Sequence, residues 1–106
     1  MPKYLIQASY TADGAKGLLK DGGSKRRAAA EQALKSVGGK MEAFYFAFGD
    51  TDVFVIVDAP DHAAVSAASL AINASGAVRT KTVVLITPEE LDQAAKKSVK
   101  YQAPGH

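Results

Sequence analysis

Three groups of side chains in this sequence have the types and spacing to do chemistry. The first is Gly22-Gly23-Ser24-Lys25-Arg26-Arg27, a glycine pair running into a capping serine and three cations. A helix start already attracts anions through its free N–H groups and its dipole. Three cations placed there oppose the dipole at roughly 0.3–1 kcal/mol each. A carboxylate, a phosphate or an acidic surface on a neighbouring subunit would offset that cost; solvated cations without a partner are the plainer reading. The spacing of glycine and lysine is not that of a P-loop. The second group is Asp50 and Asp52, flanking a hairpin tip. Two carboxylates this close are able to bind a cation or to raise one pKa. Aspartate also bonds its own backbone at turns, and that is the expected role. The third group is Tyr4, Tyr10 and Tyr45, on strand-like segments. Lining one cavity, their phenols would orient an aromatic or keto substrate; as core fillers, each would send its hydroxyl towards the surface.

The candidate ligand-binding residues are therefore Tyr4, Tyr10, Tyr45, Lys25, Arg26 and Arg27, and no catalytic residue stands out. The two histidines, His62 and His106, form no cluster. His62 reads as a solvated residue at a helix start. A lone histidine in a chain without cysteine argues against a zinc site, so no metal is expected. No Ser-His-Asp or paired-glutamate pattern is present, and no cofactor is expected.

The elements that position these residues follow from periodicity and punctuation. Lys3 to Tyr10 alternates as a strand, and Thr11-Ala12-Asp13-Gly14 opens a polar loop reaching Gly22-Gly23. Ser24 reads as an N-cap, with Ala30, Ala33, Leu34 and Val37 at helical spacing behind it and Gly38-Gly39 as the stop. Met41 to Phe48 is aromatic, with Met41 and Tyr45 expected on one face and Phe44, Phe46 and Phe48 on the other. Gly49-Asp50-Thr51 connects it to a strand over Val53 to Val57. Asp61 caps a second helix that Gly76 closes, and Arg79 to Thr87 is a fourth strand. Thr87-Pro88-Glu89-Glu90 predicts a capped helix to about Lys97, by threonine cap, proline at the first helical position and glutamate closing the box. Ser98 to His106 has no periodicity but carries Val99 and Tyr101, which predicts a docked C-terminal arm. The order is an α+β, ferredoxin-like βαββαβ: a four-stranded antiparallel sheet plus a C-terminal helix, in one domain over 1–106.

Composition narrows the function classes. A net charge of +2 gives no reason to expect a nucleic acid or a membrane as partner. No signal peptide is visible, cysteine is absent, and the longest uncharged run, Ala63 to Val78, falls short of the roughly 20 residues that span a bilayer. A cytoplasmic protein is expected. Both the aromatic strand and the uncharged second helix are apolar on more than one side. A homo-oligomer, a dimer or higher, is expected to cover them.

Several short motifs resemble the GYD domain family in order and spacing. They are Pro2-Lys3-Tyr4-Leu5-Ile6-Gln7-Ala8-Ser9-Tyr10, Gly38-Gly39-Lys40, Gly49-Asp50-Thr51-Asp52-Val53, Val57-Asp58-Ala59-Pro60-Asp61 and Ala77-Val78-Arg79-Thr80-Lys81-Thr82. Thr51 stands where that family usually has tyrosine. The resemblance implies a dimeric α/β barrel, in which two ferredoxin-like sheets pair their open faces. It leaves two readings of function. One is an oligomeric binding or structural protein that takes a small apolar or anionic ligand or none. The alternative is a cofactor-independent isomerase or monooxygenase acting on a small carbonyl or aromatic compound.

Overall fold

The structure, a computed structural model, describes residues 1–106. Strand β1 (Lys3–Tyr10) sends Tyr4, Ile6 and Ala8 into the core and leaves Leu5, Gln7 and Ser9 on the opposite face. It lies between β3 (Val53–Asp58) and β4 (Val78–Leu85), and β2 (Lys40–Phe46) completes the sheet in the order β2-β3-β1-β4. Every neighbouring pair is antiparallel, as the ferredoxin-like order requires. Register sets the faces. Val53, Val55 and Val57 pair with Ala8, Ile6 and Tyr4, so they join the same core layer. Leu34 of helix α2 (Gly23–Ser36) and Val65 and Ala68 of helix α3 (His62–Ala74) close that layer from above.

The segment expected to be a polar loop is instead helix α1 (Ala12–Asp21). Two glycines, Gly14 and Gly17, hide its pattern. Its start is held by Thr11, whose hydroxyl accepts from the Gly14 N–H and donates to the Gly76 carbonyl at 2.8 Å. The Thr11 N–H also donates to the Ala77 carbonyl at 3.0 Å. Gly22, at φ 83°, ends α1 and immediately precedes α2. This displaces Ser24 from its expected capping role: the N-cap is Gly22, two residues earlier, and makes no side-chain cap bond.

The aromatic strand also departs from simple alternation. A bulge between Met41 and Ala43 shifts the register, so Met41, Phe44 and Phe46 oppose Val57, Val55 and Val53 on the helix-covered face. Phe46 thus sits beside Gly23 and edge-on to Phe44, with ring centroids 5.3 Å apart, and does not join the open face. Phe48 lies in the hairpin connection, fully exposed. Helix α3 buries less than its lack of charge implied. Val65 and Ala68 face the core, while Ala67, Leu70, Ala71 and Ala74 are exposed.

Helix α4 (Pro88–Ala95) carries the expected capping box, with reciprocal bonds between Thr87 and Glu90. None of its residues is buried. With the following residues it extends the molecule to 56 Å along its longest axis. The radius of gyration is 17.0 Å, against about 13 Å for a compact chain of this length. No helix is long and apolar enough to cross a membrane.

The glycines of α1 give a paired test of this packing. A Cβ on Gly14 would fall 1.9 Å from the Ala77 carbonyl oxygen, whereas one on Gly17 would meet nothing within 4 Å. Gly14→Ala is expected to destabilise by about 1–3 kcal/mol through overpacking. Gly17→Ala is expected to be neutral or to stabilise by up to about 1 kcal/mol through helix propensity. Urea unfolding of the two variants measures both.

Candidate functional site

The six residues singled out by type and spacing do not form one site. Tyr4 is 1% exposed, in the core between the sheet and α3. Its hydroxyl lies 2.6 Å from His62 Nδ1 at the start of α3, and the two rings meet edge to face. His62 is thus more than a solvated residue: it satisfies a buried phenol. A shallow cleft beside this pair is lined by Ser66, Ser69, Thr82 and Val84, with His62, Ser66 and Thr82 as its exposed polar members. Tyr45 lies on the other side of the sheet, 70% exposed and opposite Phe54. The three tyrosines therefore cannot line one cavity, because β1 and β2 send them to opposite faces.

Tyr10 and Arg26 do come together. Tyr10 ends β1 on the helix-covered face, and Arg26 sits in the first turns of α2 above it. Both line a cavity of about 110 Å³ between the sheet, α2 and α3. The cavity exists because α2 turns Ala29, Ala30 and Ala33 towards a sheet face of Ile6, Ala8, Val53 and Val55. Small side chains on the helix leave the space above these strands unfilled. Across the cavity Ile72 and Val78 complete an almost wholly apolar wall, interrupted by Ser69 and Thr80. The Ser69 hydroxyl is buried without a hydrogen-bond partner.

Charge at this mouth is unbalanced. Lys25 reaches Asp21, at the end of α1, at 3.8 Å, but Arg26 and Arg27 make no ion pair. Lys25 and Arg27 are exposed, while Arg26 is half-buried. Of the three cations, Arg26 alone contributes to the cavity. Burial raises the Tyr10 hydroxyl above its ordinary pKa of 10.0; Arg26 opposes this by favouring the phenolate, and Asp52 adds to the rise. Asp52 itself accepts from the Tyr10 backbone N–H at 2.8 Å, and its own N–H donates to the Ala8 carbonyl. The Asp52 carboxylate thus serves the backbone of β1 and not that of its own turn, while Asp50 contributes its backbone carbonyl, which accepts from the Ser9 hydroxyl at 2.8 Å. Thr51 reaches the Gln7 side chain at 3.4 Å, tying the hairpin to the centre of the sheet.

The open face is the second candidate surface. Register places Leu5 and Gln7 of β1, Phe54 and Ile56 of β3, Ala43 and Tyr45 of β2, and Val83 and Leu85 of β4 together there. At one end Lys3 bridges Glu42 and Asp58, the latter at 3.0 Å, and hydrogen bonding to Glu42 and then Asp58 raises the Lys3 pKa. At the edge β4 is stitched to α3 by Asn73, whose side chain donates to Thr80 Oγ1 at 2.7 Å and accepts from the Thr80 N–H at 3.0 Å. Sequence reasoning missed Ser69 and the alanine face of α2. Nothing in an Ala-rich helix distinguishes a tight contact from a gap before the partner strands are placed.

Two comparisons bear on this geometry. The family described as GYD domain matches residues 4–95. A protein of Thermus thermophilus, named glutamine synthetase and cystathionine beta-lyase binding protein, is 32% identical over 92 residues, covering 86% of this chain and 95% of its own length.

The raised Tyr10 pKa has a sign that can be checked. Its folded value exceeds the unfolded one, so its contribution to stability is complete below pH 10 and is lost as pH rises through the higher folded value. Arg26→Gln removes the one influence pulling that value down, so Tyr10 is expected to ionise at still higher pH. Ultraviolet phenolate titration of the protein and of Arg26→Gln, with Tyr10→Phe to assign the signal, measures the order. Tyr4→Phe is expected to cost about 0.5–1.5 kcal/mol by losing the bond to His62, read by urea unfolding.

Proposed function

This chain belongs to the GYD domain family, and from that premise we propose that it is a non-catalytic binding protein that docks on a metabolic enzyme. The binding role rests on the similarity described above, and the open sheet face carries the homo-oligomer in which it is exercised. Leu5, Phe54, Ile56, Val83, Leu85 and Tyr45 form an apolar and aromatic patch that no helix of the chain covers. Such patches on small domains mark interaction surfaces, and aromatic residues are enriched at them. The similarity to a protein named for binding two enzymes spans nearly the whole of that protein, so it supports a binding role carried by the domain itself. Glutamine synthetase and cystathionine β-lyase are the partners to try first.

The protein works as a homo-oligomer in this reading. Two open faces pair sheet to sheet as a dimeric α/β barrel, and the C-terminal arm docks on the neighbouring copy. The arm has the chemistry for that role. Leu91, Val99 and Tyr101 are exposed, and α4 makes no packing contact that buries any of its residues on its own domain. Ordering a terminus costs conformational entropy that exposed apolar residues do not offset alone. Barrel pairing and arm docking leave the helix faces as the surface available to an enzyme partner.

Phe54→Asp places a charge at the centre of the proposed dry layer, at a cost of several kcal/mol. Sedimentation velocity at micromolar concentration is expected to show a dimer or larger species for the native chain and a monomer for Phe54→Asp. Truncation after Lys97 is expected to loosen assembly while each domain stays folded. Biolayer interferometry against glutamine synthetase and cystathionine β-lyase from the same organism checks the binding role. Saturable binding to either supports it, and the absence of binding to both overturns this choice of partner. A native chain sedimenting as an 11.1 kDa monomer overturns the oligomer.

A further inference from the structure

We propose that the cavity beneath α2 is a binding site for a small apolar monocarboxylate, with Arg26 holding the carboxylate at its mouth. Three independent features converge there. The cavity of about 110 Å³ is lined mainly by apolar side chains, which suits a short hydrocarbon body. An apolar protein cavity of about 150 Å³ accommodates benzene, so the space is of the right order for a short chain or small ring. Arg26 is half-buried at that cavity and forms no ion pair, although a carboxylate is the usual partner of an arginine out of full solvent. The Ser69 hydroxyl, on the wall, is buried and lacks a partner. Buried polar groups are bonded in the great majority of cases, so an orphan hydroxyl marks a place where something polar belongs.

The charge count selects the ligand class. One guanidinium, hydrogen-bonded to the Tyr10 hydroxyl and shared with a neighbouring cleft that contains Asp13 and Asp21 without pairing with either, faces a mainly apolar lining, which matches one negative charge on an apolar body. A phosphate carries more charge and asks for several convergent donors. Lys25 is engaged with Asp21, and Arg27 does not line the cavity, so those donors are not supplied. Tyr10, at the same mouth, carries a phenol that is protonated at neutral pH and is placed to donate the second hydrogen bond to a carboxylate. The alternative occupant of the space is nothing at all: a packing gap left by the alanines of α2.

Hexanoate and 1-hexanol, titrated to millimolar concentration and followed by amide chemical shifts, separate these. In the native chain hexanoate is expected to shift the amides of Ala30, Leu34, Ile72 and Val78 saturably, and 1-hexanol to bind more weakly at the same amides. Arg26→Gln should weaken hexanoate about tenfold, the loss of one charge-assisted bond, while leaving 1-hexanol unchanged. Arg26→Lys should retain part of the hexanoate affinity. Ala30→Leu, which fills the gap, should abolish binding of both; Ile72→Phe serves the same purpose if that variant fails to fold. The proposal is overturned if hexanoate shifts no cavity amide. It is equally overturned if Arg26→Gln binds hexanoate as the native chain does, or if the filled variants still bind. The readout needs neither the enzyme partner nor the oligomer, so its outcome is separate from theirs.

Discussion

The two-sided alternation of the central strand is the constraint from which the remaining structure follows. Because β1 pairs with β3 on one side and β4 on the other, its face assignment is imposed on both neighbours through register. Tyr4, Ile6 and Ala8 commit the layer containing Val53, Val55, Val57 and Val78 to the helices. Leu5 and Gln7 commit the opposite layer to whatever lies beyond the domain. A one-residue slip would exchange the layers, and burial of each large side chain, about 1.5–3 kcal/mol, opposes it. The Lys3 bridge to Asp58 and the Asp52 bond to the Tyr10 N–H secure the register at the two ends of the strand.

Covering one face with helices of small residues has a consequence for packing. Helix α2 approaches the sheet through Ala29, Ala30 and Ala33, and α3 through Val65 and Ala68, with Ile72 half-buried. Small side chains permit close approach only where the opposing strand offers bulk. Opposite Ala8 they do not, and space remains. The same small-residue solution appears at α1, where the absence of a side chain at Gly14 lets the helix lie against the Ala77 carbonyl. There the fit is tight; under α2 it is open. The buried side-chain polar atom left without a partner, the Ser69 hydroxyl, belongs to a residue lining that opening.

The uncovered face and the extended arm belong to the same problem of a small domain with more apolar surface than its own elements can bury. A chain of this length buries only about two-thirds of its unfolded surface by itself. Three helices lie on or against the covered side of the sheet, and the fourth projects away from it. Intermolecular contact is the remaining way to bury Phe54, Ile56, Leu91 and Tyr101.

Sequence alone determined all four strands and three of the four helices in their order, since period and punctuation are local. The capping box at Thr87 and Glu90 and the αL glycine at Gly76 were legible for the same reason: their bonds are made within a few residues. Helix α1 was not legible, because two glycines lower its propensity and the stabilising contacts come from Gly76 and Ala77, far along the chain. Nor was the bulge that returns Phe46 to the helix side, for it is set by pairing with β3 and leaves no mark of glycine or proline in β2. Among the candidate site residues, type and spacing picked out Tyr10 and Arg26 but grouped them with Tyr4, Tyr45, Lys25 and Arg27. Only the tertiary structure separated them. Which side chains share a space depends on strand register and on how far a helix is held from a sheet, and both are properties of residues distant in sequence.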